Sequence, residues 1–162
     1  MDQIHKSKYS DWIYVKESSI HNKGVFAAKN IPKGTKIIEY IGEKISKEEA
    51  DKRMERDVKN GTFYVFELND EYDIDGLTGG SDAIYINHTC APNCEIDIID
   101  DKIWIISIKD IKEHEELSYD YAFDLDHNTL KHKCLCGHKN CIGYIVNSNK
   151  EKELKQMLSN KK

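Results

Sequence analysis

Strand-forming residues come in short runs along this chain, each closed by a turn signal. "WIYV" at 12–15 reads as one strand. "KGVFAAKNIPKGTKIIEYIGE" at 23–43 reads as two strands around a turn set by Pro32 and Gly34. "TFYVFEL" at 62–68 is dense in aromatic and β-branched residues and reads as another. "EIDIIDDKIWIISI" at 95–108 reads as a hairpin turning at Asp100-Asp101, and "ELSYDYAF" at 116–123 as a last short strand. Helical patterning occurs twice. At 46–61, Ser46 and Glu49 form a capping-box pattern and Asn60-Gly61 a stop; the apolar face (Ala50, Met54, Val58) is thin, which predicts a surface helix. At 148–162, Leu154, Met157 and Leu158 share one side of a charged segment. There is no βαβ alternation and no glycine-rich dinucleotide loop, which argues against a Rossmann-type cofactor site.

Length adds that 162 residues suit one domain with a real core. The longest apolar runs, such as "IWIISI" at 103–108, are too short to cross a bilayer. The first twelve residues lack the apolar stretch of a secretory signal, so the expected compartment is intracellular. A net charge of −5, with lysines and acids mixed along most of the chain, gives no basic face for nucleic acid. Acids cluster in "ELNDEYDIDG" and "IDIIDDK". Such runs usually mark a solvated face; the sharper expectation is a surface near 67–75 and 97–101 that attracts a basic tail.

Candidate chemistry lies in two polar segments. "YINHTCAPNCEI" at 85–96 packs Asn87, His88, Cys90, Asn93 and Cys94 between strand-like flanks. "KCLCGHKNCIG" places Cys134, Cys136 and Cys141 within eight positions. Five cysteines in a reducing compartment argue for metal rather than disulfides. Three thiolates need a fourth ligand to close a structural zinc site, and on spacing alone Cys90, Cys94, His132 and His138 all remain open.

Taken together and in order, these segments resemble the SET-domain protein lysine methyltransferases. The strand pair from residue 23, "YINHTCAPNC", and "ELSYDY" followed by "CLCGHKNCIG" are similar to that family's N-terminal strands, asparagine–histidine–cysteine motif, and catalytic strand with post-SET zinc segment. The resemblance runs from about residue 13 to 143. It implies a mainly β fold of small curled sheets with a pseudoknot, one short internal helix and a C-terminal helix. The 85–90 strand would be threaded through a loop closed by 116–121, against the usual rule. The division implied is a SET domain over 10–128, a post-SET segment over 129–147 and a C-terminal helix or tail over 148–162. No cysteine-rich segment precedes residue 12, which suggests a free-standing, near-minimal unit.

The resemblance also implies S-adenosylmethionine as cofactor and a lysine substrate reaching it through a narrow channel. Lys23, Gly24, Val25 and Phe26, with Asn87, His88 and Leu135, would bind the cofactor. Tyr121 would be the catalytic tyrosine, with Tyr119 beside it setting how many methyl groups fit. Tyr40, Tyr64 and Tyr119 would wall the lysine channel. Cys90, Cys134, Cys136 and Cys141 would hold Zn²⁺, leaving Cys94 spare. Read without the resemblance, tyrosines on strands are packing residues. Two departures from the family pattern are Asn22, where a glycine is common, and Ile84, where an arginine is usual. Asn22 suits a left-handed turn.

The function expected is lysine methylation on a histone tail, mainly to mono- or dimethyl-lysine. The alternatives are methylation of a non-histone basic protein, or an inactive zinc-stabilised module that binds peptides. Partners expected are a lysine-containing basic tail, no nucleic acid and no membrane, with a homodimer left open. Location at nuclear chromatin is expected if the source is a eukaryote, a virus or a host-directed effector.

Overall fold

The computed structural model describes residues 4–126 and 129–159. Short strands dominate it. In chain order they are β1 (His5–Lys6), β2 (Ile13–Glu17), β3 (Lys23–Ala27), β4 (Lys36–Glu39) and β5 (Glu43–Ser46). After helix α1 (Lys47–Asn60) come β6 (Val65–Glu67), β7 (Tyr72–Asp75), β8 (Asn87–His88), β9 (Cys94–Ile99), β10 (Lys102–Ser107) and β11 (Glu116–Tyr119). Helix α2 (Glu151–Ser159) follows a short 3-10 turn. The expected SET boundary at 128 and the last three residues of the expected tail helix lie outside the described residues.

Three small sheets are present among the described residues, in the orders β1-β2-β3-β11-β8, β4-β10-β9 and β5-β7-β6. This is the mainly β arrangement with one internal and one C-terminal helix that the sequence implies. Their inner faces close on one core, where Ile13, Val25, Ile38, Ile105 and Leu117 are almost fully buried. All pairings are antiparallel except one. β8 lies parallel to β11, with Asn87 opposite Ser118 and His88 opposite Tyr119. That pairing brings the 85–96 motif against β11, the strand that the resemblance marks as catalytic.

Local signals decide the elements that the sequence predicts best. Asp100 and Asp101 have φ of 52° and 56°, the two left-handed positions of a tight hairpin turn, and β9 and β10 pair on either side of them. Ser46 caps α1 by accepting from the Glu49 amide, and Gly61 ends it at φ 70°. The capping box forms only on that side, because the Glu49 carboxylate is taken by Arg53 at 2.8 Å. Asn22 turns at φ 40°, as a residue tolerant of that region can.

Other elements depart from expectation. Of the 62–68 run only β6 is regular strand, although the Gly76 amide donates to the Tyr64 carbonyl at 2.9 Å and the Leu68 amide to the Tyr72 carbonyl at 3.1 Å, one bond beyond each end. The last strand stops at Tyr119, since the Tyr121 amide turns to a histidine ring. The acidic run at 67–75 is not all solvated surface. Asp73 and Asp75 are buried on β7, facing Lys47 and Arg53 of α1 at 2.7 Å each. Buried carboxylates persist when paired, and here they fasten α1 to the β5-β7-β6 sheet.

Candidate active site

Asn93 fastens the motif that holds the site. It is buried; its Oδ1 accepts from the Ser118 amide at 2.9 Å and its Nδ2 donates to the Glu116 carbonyl at 2.8 Å. Its own amide donates to the Ser118 carbonyl. The side chain thus completes the hydrogen bonding of β11 beside the short β8. Asn93→Ala would leave a buried amide and a half-buried carbonyl without this partner, an expected loss of about 3 kcal/mol. In a thermal melt that is a fall of roughly 6–12 °C for a chain this long; an unchanged melt would show that neither bond contributes.

Aromatic rings gather where β8 and β11 meet. Tyr119 and Tyr121 lie 4.9 Å apart between centroids, Tyr119 and Phe66 6.2 Å, and Phe66 and Tyr40 5.3 Å. Phe63, Phe123 and His88 complete the surround of Tyr121. The Tyr121 hydroxyl donates to the Ile86 carbonyl at 2.9 Å. Tyr40 spends its hydroxyl on Tyr64, whereas Tyr119, although buried, has no hydroxyl partner among the described residues. Tyr64 stands apart from this ring cluster and lines an adjacent cleft instead.

Burial, reinforced by neighbouring tyrosines, pushes the phenols of Tyr40, Tyr119 and Tyr121 well above their ordinary value. All three are therefore neutral at physiological pH. His88 is buried, and burial pushes its pKa down against the opposing pull of Asp120. Its Nδ1 accepts from the Tyr121 amide at 3.2 Å, which places the proton of the neutral ring on Nε2, 3.8 Å from the Cys90 sulfur.

Two adjoining clefts, of about 370 and 300 Å³, open beside the rings. They share His21, Gly61, Phe63, Asn87 and Tyr121. Of the residues expected at a cofactor, Asn87 lines both, Lys23 the first, and His88 and Leu135 the second. Gly24, Val25 and Phe26 sit behind the wall, in the sheet. The sequence did not single out His21, Phe63, Lys133 and Ile145, which also line the clefts. His21 lies next to the Asn22 turn, and that adjacency was the only signal for it.

The residues present suit S-adenosylmethionine. Phe63, Leu135 and Ile145 offer apolar faces for a heteroaromatic ring, and Asn87 and Lys23 offer an acceptor and a cation for an amino-acid end. His132 Nε2 is a buried nitrogen in the wall of the second cleft, with no hydrogen-bond partner among the described residues. Cys90, Cys134, Cys136 and Cys141 bring their sulfurs within 4.8 Å of one another. Cys90 lies 3.7 Å from Cys134 and 3.9 Å from Cys141. A tetrahedron with zinc–sulfur bonds of ~2.3 Å has edges of about 3.8 Å, so the four thiols fit Zn²⁺. Cys94, His132 and His138 stand outside the set. Burial raises the Cys136 thiol, but the Cys90 and His138 amides and the neighbouring Cys134 and Thr89 side chains outweigh it and bring it down to about 6.

The family model described as "SET domain" matches residues 22–122. The chain is 40% identical over 141 residues to human "Histone-lysine N-methyltransferase 2D", a match covering 84% of this chain and 2% of that protein. It is 41% identical over 135 residues to "Histone-lysine N-methyltransferase, H3 lysine-4 specific" of Chaetomium globosum, covering 79% and 12%. It is 40% identical over 141 residues to "Histone-lysine N-methyltransferase trr" of Drosophila melanogaster, covering 84% and 6%. The chain spans a small fraction of the length of these relatives.

Proposed function

The chain belongs to the SET-domain family, and from that membership we propose that it is a protein lysine methyltransferase acting on a histone tail. The first substrate to test is histone H3 at lysine 4, which the name of the Chaetomium relative specifies for that protein. In this reading residues 10–128 are the catalytic unit, 129–147 the zinc segment, and the place of action is chromatin in the nucleus. The observation that carries the proposal is Tyr121. Its hydroxyl is fixed by Ile86 at the junction between two clefts and a cluster of tyrosine and phenylalanine rings.

S-adenosylmethionine, when bound, supplies an electrophilic methyl group on a sulfonium. Everything else falls to the protein. The amine must arrive neutral, although free lysine has a pKa of about 10.4. Walls of Tyr40, Phe66 and Tyr119 disfavour an ammonium by desolvation. Burial keeps these phenols protonated before substrate arrives, and the proton of the amine leaves through water or by way of a tyrosine hydroxyl. Tyr121 donates to Ile86, so its oxygen lone pairs remain free to receive a polarised methyl in weak C–H···O contact. The remaining contribution is alignment of amine and methyl.

Zinc-loaded protein with S-adenosylmethionine and an H3 tail peptide is expected to give a methylated product, absent when lysine 4 is replaced. Methylation of other basic proteins alone would move the substrate away from histones. A folded, zinc-loaded chain that methylates nothing and binds no S-adenosylmethionine would be a peptide-binding module instead.

The unpartnered Tyr119 hydroxyl predicts the product. It can hold a water or bond the amine, and so occupies room a further methyl needs. The wild type is expected to stop mainly at mono- or dimethyl-lysine, and Tyr119→Phe to shift product toward trimethyl-lysine while turnover persists. Mass spectrometry of the peptide checks both. Efficient trimethylation by the wild type, unchanged in the variant, would place the control of product elsewhere.

A further inference from the structure

Glu116 opens β11 and is half-buried, and nothing in the reaction just described uses it. Its Oε1 accepts from the Ser18 hydroxyl at 2.7 Å and from Asn87 Nδ2 at 3.0 Å. Asn87 Nδ2 also lies 3.0 Å from the Lys23 carbonyl. Ser18 completes the chain of bonds by accepting from the Ile20 amide. Glu116 thereby links the end of β2, the start of β3 and β8.

A carboxylate and a peptide carbonyl are both acceptors, so an amide set between them must turn its NH₂ to them. The Asn87 Oδ1 then faces the other way. It has no hydrogen-bond partner among the described residues, and Asn87 lines both clefts. A bare carbonyl oxygen in a cleft is an acceptor awaiting a donor. Room for the arrangement is made at residue 24: a Cβ there would collide with Glu116 Oε1 and lie 2.9 Å from the Ser18 side chain. The close approach that Gly24 permits is thus to Glu116.

We propose that Glu116 is a positioning residue that fixes the Asn87 amide so that Oδ1 faces the cleft and receives the α-ammonium of the cofactor's methionine moiety. The inference rests on the cofactor reading above. It is tested by calorimetry on zinc-loaded protein with two ligands. S-adenosylhomocysteine carries the ammonium. 5′-Methylthioadenosine shares the nucleoside and thioether but ends before it.

Glu116→Ala is expected to weaken S-adenosylhomocysteine about tenfold, the scale of one hydrogen bond to a charged group, with 5′-methylthioadenosine within about twofold. Glu116→Gln keeps an acceptor of the same shape and is expected to retain most of the affinity. Ser18→Ala frees Glu116 without altering β11. It is expected to show the same selectivity to a smaller degree, and it carries the test if Glu116→Ala does not fold. Equal loss for both ligands, no loss, or a glutamine variant as weak as alanine would overturn the proposal. A wild type that binds neither ligand would instead overturn the cofactor reading.

Discussion

Tyr121→Phe is expected to slow methyl transfer about a hundredfold or more, the scale of removing one preorganised polar group from a reacting centre. Affinity for S-adenosylhomocysteine should stay within a few-fold of wild type. The change deletes a single oxygen, the one held by the Ile86 carbonyl at 2.9 Å. The ring stays, so its packing against Tyr119, Phe123 and His88 stays as well. Losing the bond to Ile86 costs about 1 kcal/mol of stability, a small shift in melting temperature that cannot explain a large loss of rate. Single-turnover kinetics at saturating peptide, with calorimetry beside it, separates the two effects. A rate reduced less than tenfold would remove this hydroxyl from the reaction. The contrast with Tyr119→Phe sharpens the test, because both variants lose the same atom two positions apart.

Cys134→Ser is expected to reduce bound zinc from one per chain toward none and to abolish activity, with the strand core still folded. A serine hydroxyl does not replace a thiolate, and three sulfurs leave a structural site open. The metal's binding energy is folding energy for the segment it holds. That segment supplies Lys133, Leu135 and Ile145 to the wall of the second cleft. Cys94→Ser is the control: Cys94 is buried at the start of β9 and lies outside the sulfur cluster, so zinc should remain bound. Metal content by elemental analysis, read with NMR of core methyl groups, checks both variants. Full activity in zinc-free protein would overturn the role of the cluster.

What the sequence conveyed was mostly what neighbouring residues decide. The cap at Ser46, the stop at Gly61 and the turn at Asp100-Asp101 are local choices, and they stand where the sequence puts them. β7 is different. "YDID" looks solvated until Lys47 and Arg53 of the preceding helix are seen against its two acids. Tyr72 is exposed while Asp73 and Asp75 are buried, an inversion that depends on cations supplied from elsewhere in the chain. The site divides in the same way. Asn87, His88 and the four cysteines were legible as residues of unusual type at unusual density. Phe63, Phe66 and Phe123 were not, since a phenylalanine in a strand looks the same whether it packs a core or faces a ligand. Asn93 belonged to the noticed motif, yet its task of satisfying the backbone of β11 appears only once that strand lies beside it.

The parallel pairing of β8 with β11 bears on how the protein is made. A ribosome releases the N-terminal strands and α1 first, and they can pair or cap locally as they emerge. Asn87 and His88 must wait for Ser118 and Tyr119, and Cys90 must wait longer for its three partners near the C-terminus. Contacts so distant in sequence are slow to form, so β8 and the sulfur cluster order after the hairpins that pair locally. A product truncated before residue 134 retains every strand of the three sheets but lacks three of the four clustered thiols, so it is expected to form its sheets without closing the sulfur cluster.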